Sequence, residues 1–432
     1  MRQTLFYIPD HLGPLPMFGM VGWASIVWTL LCITLVVWLS RKQGFNQEVK
    51  SYLPVMVIVW LALAFLAPVL VEEGYGIPIR GYGVLMLLGV VAGVGLSVYR
   101  ARQMAVDPEI IFSLAFVLFV TAIVGARFFY VVQYWERDFQ ADRWQETLGN
   151  VLNVTQGGLV VYGSLIGGLL GGAWYLHRHR LPVFAIADMI APSLLVGLAI
   201  GRIGCLMNGC CFGDVCERPW AITFPFHSPP YQEQLQDELV PAMGLQLRDL
   251  QIQEAGQTEQ IVVISAVDPD GVAGGKGLRV GAEVTHIDGR KITSAAHGRH
   301  ILNLPRSRIT ITQAGLETIA FDLPRSRPTD PTQIYSAINA ALLAALLWVA
   351  YPFRQRDGTI MALLLTLYPV SRFLLEAIRV DEEGRFGTPF SISQFVSFGI
   401  IAVAIGLWIY IYRQPRQVAL PGEKPLRLAA NT

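Results

Sequence analysis

The middle of the chain carries the segment GRIGCLMNGCCFG, residues 201–213. It follows directly on an apolar run from Ile186 to Ile200, which is long enough to belong to a membrane-spanning helix. A charged side chain such as Arg202 is costly in that position unless a partner accompanies it. The four glycines of the segment let the backbone approach a ligand or a neighbouring helix closely. The segment therefore predicts a polar site at a helix end; an arginine that merely snorkels to the headgroup level is the alternative.

The composition of the chain indicates a membrane protein. Of its 432 residues, 53% are hydrophobic and 15% are charged, and the mean hydropathy is +0.46. Such values are typical of a polytopic membrane protein. The net charge of +1 gives no reason to expect nucleic acid as a partner. The first apolar run, Phe18–Leu39, is too long for a signal peptide and lacks a cleavage site, so we expect it to remain as a helix.

Nine apolar segments are long enough, or nearly so, to cross a bilayer. The predicted fold class is therefore an all-α polytopic membrane protein of about nine transmembrane helices, with a small β-rich extracytoplasmic insert. The segments are about Phe18–Leu39, Leu53–Val71, Tyr82–Tyr99, Ile110–Val132, Val160–Leu176, Ile186–Met207, Ile334–Val349, Thr359–Ile378 and Ile392–Ile411.

Basic residues predict the orientation. Lysines and arginines concentrate in the loops after the first, third, fifth, seventh and ninth segments, for example Arg41, Arg100 and Arg178. The positive-inside rule makes these loops cytoplasmic. The N-terminus and the long 208–333 segment are then extracytoplasmic, and the C-terminus is cytoplasmic.

The 208–333 segment contains short runs with β-strand character and a hairpin-turn dipeptide, Asp288-Gly289. Residues 267–290 resemble a bacterial PDZ domain, and the resemblance covers about residues 258–323. A small β-rich insert without a ligand is the alternative. The predicted strands are Gln260–Ala266, Arg279–Ile287, Arg308–Thr312 and Thr318–Phe321.

Two further patterns predict packing. The fifth segment repeats small residues at Gly163, Gly167 and Gly171, which favours a closely packed helix neighbour. Four of the five cysteines fall between 205 and 216 in a C-x4-C-C-x4-C spacing that matches no standard zinc pattern. We therefore expect no metal and no cofactor, packing for Cys205, and a disulfide of Cys216 with Cys210 or Cys211.

The central segment, with Arg202, Asn208 and Gly213, resembles the signature of the bacterial prolipoprotein diacylglyceryl transferases. Further motifs of that family are matched in order, so the similarity spans Ile79 to about Ile411 apart from the insert. The matching positions are Arg80-Gly81-Tyr82-Gly83, Gly125-Ala126-Arg127 with Tyr130, residues 157–167, Asp188 with Pro192, Pro331-Thr332-Gln333 with Tyr335, Tyr368 with Arg372, Glu376, Arg379 and Asp381, and Ser393-Gln394.

The chain also departs from this family. Tyr162 stands where the family has a histidine, Cys205 where it has an asparagine, and Cys210 where it has an acid. These departures leave open a non-catalytic scaffold that binds lipid or peptide. A membrane protease with a PDZ insert is disfavoured, because the sequence has no H-E-x-x-H motif.

The resemblance implies transfer of the diacylglyceryl group of phosphatidylglycerol to the lipobox cysteine of a prolipoprotein signal peptide, in the bacterial cytoplasmic membrane. Positioned arginines suit a phosphate leaving group. Asp188, Tyr162 and Tyr368 are potential polar partners. The implied catalytic residues are Arg202, Arg372, Glu376 and Tyr162; the implied substrate-binding residues are Arg202, Arg127, Tyr82, Tyr130, Asn208, Gly213, Tyr368 and Gly163.

The same reasoning predicts five regions along the chain. Two extra helices occupy 1–76, and the transferase core occupies 77–225 and 331–412. The insert occupies 226–330, and a cytoplasmic tail occupies 413–432.

Overall fold

The computed structural model describes residues 3–44, 47–72, 76–140, 143–153, 158, 160–254, 257–376, 379, 387–388 and 390–421. Within them, eight helices are long and apolar enough to cross a membrane. The rest is short helices, turns and small antiparallel sheets. The predicted fold class, a polytopic helical membrane protein with a small β-rich part, is confirmed. Asp381, one of the positions that match the family, lies outside the described residues.

The helices follow the predicted apolar segments to within a few residues. The second segment continues from α2 through a π-helical turn, Ala62–Leu66, into α3. The helices are α1 Trp23–Gln43, α2 Gln47–Leu61, α3 Ala67–Val69, α4 Gly81–Gln103, α5 Pro108–Gln133, α6 Trp144–Leu152, α7 Val161–Arg178, α8 Val183–Asn208, α9 Pro229–Gln236, α10 Ala295–Leu302, α11 Thr332–Ala350, α12 Thr359–Glu376 and α13 Ile392–Arg413.

Helix α7 corresponds to the fifth predicted segment and is not among the eight helices described above. It has 18 residues, enough to approach the thickness of the hydrocarbon core. The mean hydropathy of α7 is lower than that of the eight apolar spans. The cause is its many glycines and its basic last turn, which contains His177 and Arg178. Helix α7 is therefore long enough for a span, and its composition is less apolar than that of the other spans.

The predicted glycine ridge of α7 packs against α5. A Cβ on Gly163 would overlap the carbonyl oxygen of Gly125 and lie 2.8 Å from the Phe129 Cβ. A Cβ on Gly167 would likewise meet the backbone of Thr121 and Gly125. The two backbones approach this closely only because these positions lack side chains, as in other small-residue helix contacts in membranes. The predicted close helix neighbour is confirmed.

Gly163→Ala should therefore destabilise the protein. The added methyl group forces α5 and α7 apart, and overpacking of this kind costs about 1–3 kcal/mol. Gly168→Ala on the same helix is the matched control, since its Cβ would meet nothing closer than the Ala122 Cβ at 3.8 Å. Thermal unfolding in detergent measures both variants. Equal unfolding temperatures for the two would contradict the packing role of Gly163.

Residues Leu85–Ile203 and Thr332–Thr432 form one compact unit. Its core includes Ile110, Ile186 and Leu347. The buried Asp188 on α8 accepts hydrogen bonds from the backbone N–H groups of Gly358 and Met361, both at 2.8 Å, at the start of α12. Asp188 precedes Arg202 by fourteen residues on one helix, which corresponds to about 21 Å. Through its two hydrogen bonds, Asp188 caps the start of α12.

Residues Met1–Val84 and Gly204–Pro331 form the other unit. Near its N-terminus, β1 pairs with β4, and β2 pairs with β3. The 204–331 part contains a β5–β6 hairpin and a sheet in the order β10-β9-β7-β8. Its hydrophobic core runs from Phe226 to Leu323. The strands are β1 Thr4–Ile8, β2 His11–Leu12, β3 Leu15–Pro16, β4 Ile77–Arg80, β5 Leu245–Glu254, β6 Gln257–Val267, β7 Val284–Ile287, β8 Arg290–Lys291, β9 Arg308–Gln313 and β10 Ile319–Asp322.

Three of the four predicted strands form nearly as expected. The predicted turn is confirmed, since Asp288 and Gly289 both have positive φ, 51° and 74°, between the paired strands β7 and β8. The prediction for 279–283 was wrong, because the chain turns there, with Gly281 at φ 84°. Strand β5 was not predicted. The PDZ-like character of residues 258–323 stays a prediction.

Candidate active site

Three helices of one unit enclose a small crevice that contains two arginines. Helix α8 contributes Arg202, α12 contributes Arg372, and α11 contributes polar side chains between them. Its lining residues are Leu198, Arg202, Ser336, Asn339, Tyr368, Arg372 and Leu375.

Helical periodicity explains why these residues meet. Leu198 and Arg202 are four apart on α8, Ser336 and Asn339 are three apart on α11, and Tyr368 and Arg372 are four apart on α12. Residues three and four apart share one helix face. Each helix therefore presents one face with at least one polar side chain to the crevice, although all three helices are predominantly apolar.

Glu376 fixes the position of Arg372. Its Oε2 lies 2.7 Å from Arg372 Nη2 and 3.2 Å from Arg379 Nη1. The side chains of Arg372 and Glu376 are 13% and 2% exposed. A buried carboxylate is tolerated only where cations or hydrogen-bond donors surround it. Arg372 and Glu376 therefore form a buried i,i+4 ion pair, and Arg379 extends it to a triad.

Two serines at the start of α13 complete this arrangement. Ser391 Oγ donates to Glu376 Oε1 at 3.1 Å, so both carboxylate oxygens are engaged. The Ser391 hydroxyl also accepts from the Gln394 backbone N–H, in a capping box that begins α13. Arg372 Nη2 donates to Ser393 Oγ at 3.2 Å. The start of α13 thus holds the Arg372–Glu376 pair in one geometry.

One nitrogen of Arg372 remains available. Its Nη1 is buried and has no hydrogen-bond partner among the residues that the structure describes. An unsatisfied buried donor of a charged group is costly in the absence of a ligand. Arg372 lines the same crevice as Arg202. The arrangement suits an anion that accepts hydrogen bonds from two guanidinium groups.

Arg127 lies in a different cluster, at the end of α5. Its guanidinium donates to the backbone carbonyl oxygens of Val151 (2.9 Å), Gly158 (3.0 Å), Asn150 (2.6 Å) and Asn153 (2.8 Å). The contacts fix α6 and the chain after it to α5. Arg127 therefore holds a loop in position.

Tyr130 belongs to the same cluster. Its hydroxyl donates to Asp138 Oδ2 at 2.6 Å, and Arg137 Nε lies 2.8 Å from Asp138 Oδ1. The hydrogen bonds from Arg137 and Tyr130 hold the pKa of the Asp138 carboxyl at about 2. Asp138 is therefore ionised at any working pH.

The other predicted site residues lie elsewhere. Tyr162 and Gly163 occupy the first turn of α7, and Tyr82 occupies the first turn of α4. The carbonyl oxygen of Asn208, at the end of α8, accepts from Gln3 Nε2 at 2.7 Å. The Gly213 N–H donates to the carbonyl oxygen of Asp330 at 3.0 Å. Of the predicted set, the structure brings Arg202, Tyr368 and Arg372 together at the crevice, with Glu376 paired to Arg372.

Sequence reasoning missed Asn339 and Ser391. Asn339 stands inside an apolar helix, and an intramembrane polar residue is itself a sign of function. Its Nδ2 donates to Ser371 Oγ at 2.9 Å, which ties α11 to α12. Ser391 could have been found as the helix N-cap that precedes Gln394 by three residues.

The cysteines are arranged differently from the prediction. All five lie in the described part of the chain and are thiols in this structure, so the disulfide predicted for Cys216 is not formed. The sulfur atoms of Cys205, Cys210 and Cys211 instead lie within 4.8 Å of one another. The Cys216 N–H donates to the Pro328 carbonyl oxygen at 2.9 Å, which ties that residue to another segment.

Known proteins are similar to this chain over most of its length. Residues 68–410 match the family model described as prolipoprotein diacylglyceryl transferase. The chain is 35% identical over 442 residues to the phosphatidylglycerol–prolipoprotein diacylglyceryl transferase of Rhodopirellula baltica, covering 94% of this chain and 88% of that protein. It is 26% identical over 355 residues to the protein of that name from Gloeobacter violaceus, covering 82% of this chain and 96% of the relative.

A shorter match points the same way. The phosphatidylglycerol–prolipoprotein diacylglyceryl transferase of Trichormus variabilis is 37% identical over 174 residues, which cover 39% of this chain and 59% of that protein. The residues matched by the family model include α8, α11 and α12, the three helices that enclose the crevice. The chain belongs to the prolipoprotein diacylglyceryl transferase family.

Proposed function

We propose that this protein transfers the diacylglyceryl group of phosphatidylglycerol to the lipobox cysteine of a prolipoprotein signal peptide. The cysteine sulfur forms a thioether, the C–O bond to the phosphate breaks, and glycerol 1-phosphate leaves. The observation that carries the proposal is the crevice in which Arg202 and Arg372 meet, on helices that span the membrane.

The leaving group explains the need for two arginines. As the C–O bond breaks, negative charge accumulates on the phosphate oxygens, and guanidinium groups stabilise that charge with paired hydrogen bonds. A preorganised donor in a site that excludes water is worth more than the same donor in water. Arg372 meets this requirement because Glu376 and Ser393 fix its other nitrogen. Tyr368 lines the same crevice and is proposed to bind the lipid beside them.

Glu376 acts in this scheme by positioning Arg372, because both of its oxygens are already engaged. Glu376→Gln keeps a similar shape and an acceptor for Ser391 but removes the negative charge between two arginines. We expect kcat to fall by about 10–100-fold with a smaller change in KM, as Arg372 leaves its productive geometry. Initial rates with purified protein measure this, with the exposed Glu317→Gln as control. A KM effect alone would contradict a positioning role.

The attacking thiol needs activation, since an unperturbed cysteine has a pKa of about 8.5. Tyr162 stands where the family has a histidine, and its phenol is proposed to supply a hydrogen bond in place of that histidine. Tyr162→Phe should lower the transfer rate at least several-fold without changing the expression level. The control is Tyr99→Phe, which removes a phenol hydroxyl near the C-terminal end of α4. An unchanged rate in Tyr162→Phe would assign thiol activation to other groups.

The remaining predicted residues are proposed to contact the substrates less directly. Arg127 and Tyr130 would act through the loop that they hold, and Gly163 through the close contact of α5 with α7. Tyr82, Asn208 and Gly213 lie at or beyond helix ends, where a lipid headgroup would be expected. The bilayer itself supplies the lipid substrate.

The protein is a multi-pass membrane protein. We propose that the membrane is the bacterial cytoplasmic membrane. The basic loops support an extracytoplasmic N-terminus and insert, with the C-terminus in the cytoplasm. The proposed regions remain 1–76, 77–225, 226–330, 331–412 and 413–432.

Complementation tests the proposed function. A bacterium depleted of its own transferase should recover growth and lipoprotein modification when it expresses this chain. A variant that lacks both Arg202 and Arg372 should reach the membrane and fail to rescue. If wild-type protein accumulates in the membrane without any rescue, the non-catalytic scaffold becomes the better interpretation.

A further inference from the structure

Three cysteines at the end of α8 form a cluster to which the proposed reaction assigns no role. Cys205 lies in the last turn of α8, and Cys210 and Cys211 follow that helix directly. Each contributes one sulfur atom, and the three sulfurs lie within 4.8 Å of one another. All three side chains are partly buried. We propose that these three thiols bind one soft metal cation, and that Cu(I) is the cation that fits best.

The local backbone brings the sulfurs together. The Cys205 carbonyl oxygen accepts from the N–H groups of Gly209 at 2.9 Å and Cys210 at 3.2 Å, so the chain folds back over the helix end. Gly209 has φ 81°, as expected of a residue that ends a helix. Beyond the cluster, the buried Phe212 packs near Phe224 with ring centroids 6.5 Å apart. The loop is thus fixed on both sides of Cys210 and Cys211.

Cys211 shows backbone strain that its side chain does not explain. Its φ is 59°, in the left-handed region that residues with a Cβ seldom adopt. Such a conformation costs on the order of 1–3 kcal/mol and occurs mainly at functional sites. Glycine would adopt it without strain. At this position the chain turns back, and the Cys211 sulfur lies close to those of Cys205 and Cys210.

The spacing of the sulfurs suits a metal. With metal–sulfur distances of about 2.3 Å, a three-coordinate ion needs sulfur–sulfur distances of about 4.0 Å. The observed sulfur–sulfur distances are at most 4.8 Å. Side-chain rotations that move each sulfur by less than about 1 Å would bring the three sulfurs to the distances that a metal ion requires. Each thiol that binds releases its proton to solvent, so no oxidant or reductant takes part.

The number of ligands favours copper over zinc. Soft thiolate ligands select Cu(I) and zinc, but structural zinc sites are almost always four-coordinate. Among the described residues, the cluster contains three cysteines and no nearby histidine, aspartate or glutamate as a fourth ligand. Two or three sulfur ligands satisfy Cu(I). Harder ions such as Mg²⁺ require oxygen ligands and should not bind.

Metal titration of the full-length protein tests the proposal. The chain is purified in detergent, kept reduced and anaerobic, and titrated with Cu(I) in competition with a chromogenic chelator. Wild-type protein should retain one Cu(I), and it should retain Zn(II) more weakly and Mg²⁺ not at all. Absence of Cu(I) retention by the wild-type protein, or tighter retention of Zn(II), would overturn the assignment.

Single substitutions locate the ion. Cys205→Ser, Cys210→Ser and Cys211→Gly should each weaken Cu(I) binding about tenfold or more, since even outer-shell partners contribute that much. Cys211→Gly also relieves the backbone strain, so loss of binding there would not reflect loss of folding. Cys32→Ser and Cys216→Ser are the matched controls and should bind as wild type. Equal affinity in all five variants would contradict the site.

Thiol labelling of the wild-type protein gives a result that needs no variant. With Cu(I) present, alkylation mapped by mass spectrometry should spare Cys205, Cys210 and Cys211 and proceed at Cys216 as before. Uniform protection or none would overturn the proposal. Neither measurement involves diacylglyceryl transfer, so the two proposals can fail independently.

Discussion

Arg372→Ala is expected to lower the rate of diacylglyceryl transfer by about 10²–10³-fold, the loss seen when one preorganised donor is removed from a charged transition state. The substitution removes a guanidinium that lines the crevice and whose Nη1 is a buried donor without a hydrogen-bond partner among the described residues. The fold should survive, because Glu376 keeps its contacts with Arg379 and Ser391.

Arg372→Lys separates charge from geometry. Lysine retains the positive charge but lacks the planar fork that binds two phosphate oxygens together, so most of the loss should persist. Arg102→Ala, an exposed arginine in the last turn of α4, is the control. Transfer rates are measured on purified protein with matched amounts of each variant. A rate within twofold or so of wild type in Arg372→Ala would remove this residue from the catalytic set.

Arg202→Ala is expected to have an effect of the same order, about 2–4 kcal/mol in the transition state. Arg202 reaches the crevice from α8, and Arg372 reaches it from α12. If both guanidinium groups hold one phosphate, the double variant should lose less than the sum of the two single losses, because groups that act as a unit are not additive.

A second double variant serves as the control for this double-mutant cycle. Pairing Arg372→Ala with Arg413→Ala, on the last turn of α13, should give additive effects. Rates of the single and double variants provide the comparison. Strict additivity for Arg202 and Arg372 would indicate that the two arginines act on different groups.

Hydropathy alone predicted the spanning helices well, because about 20 consecutive apolar residues have few alternatives to a membrane helix. The exception, α7, shows the limit of that criterion, since its glycines serve contact with α5 rather than contact with lipid. Strand β5 was missed because its alternating pattern is interrupted by two consecutive polar residues, Arg248 and Asp249. Its pairing with β6 also shifts register between Gln246 and Leu247. Local pattern does not report such an irregularity.

The site was predictable where its residues share one helix. The Arg372–Glu376 pair follows from i,i+4 spacing alone. The meeting of Arg202 with Arg372 and the engagement of Glu376 by Ser391 depend on how separate helices pack, which no local pattern encodes. The cysteines illustrate the same limit. Their spacing matched no metal motif, yet the turn at Gly209 and Cys211 brings three sulfurs together.

The most direct test of the central claim uses purified protein, phosphatidylglycerol with isotope-labelled acyl chains, and a synthetic lipobox peptide. Mass spectrometry of the peptide and assay of released glycerol phosphate are performed on the same reaction. The account predicts a labelled diacylglyceryl adduct on the peptide cysteine and one glycerol 1-phosphate per adduct, both lost in Arg202→Ala and Arg372→Ala. Retention of phosphatidylglycerol by the wild-type protein without any adduct would contradict it.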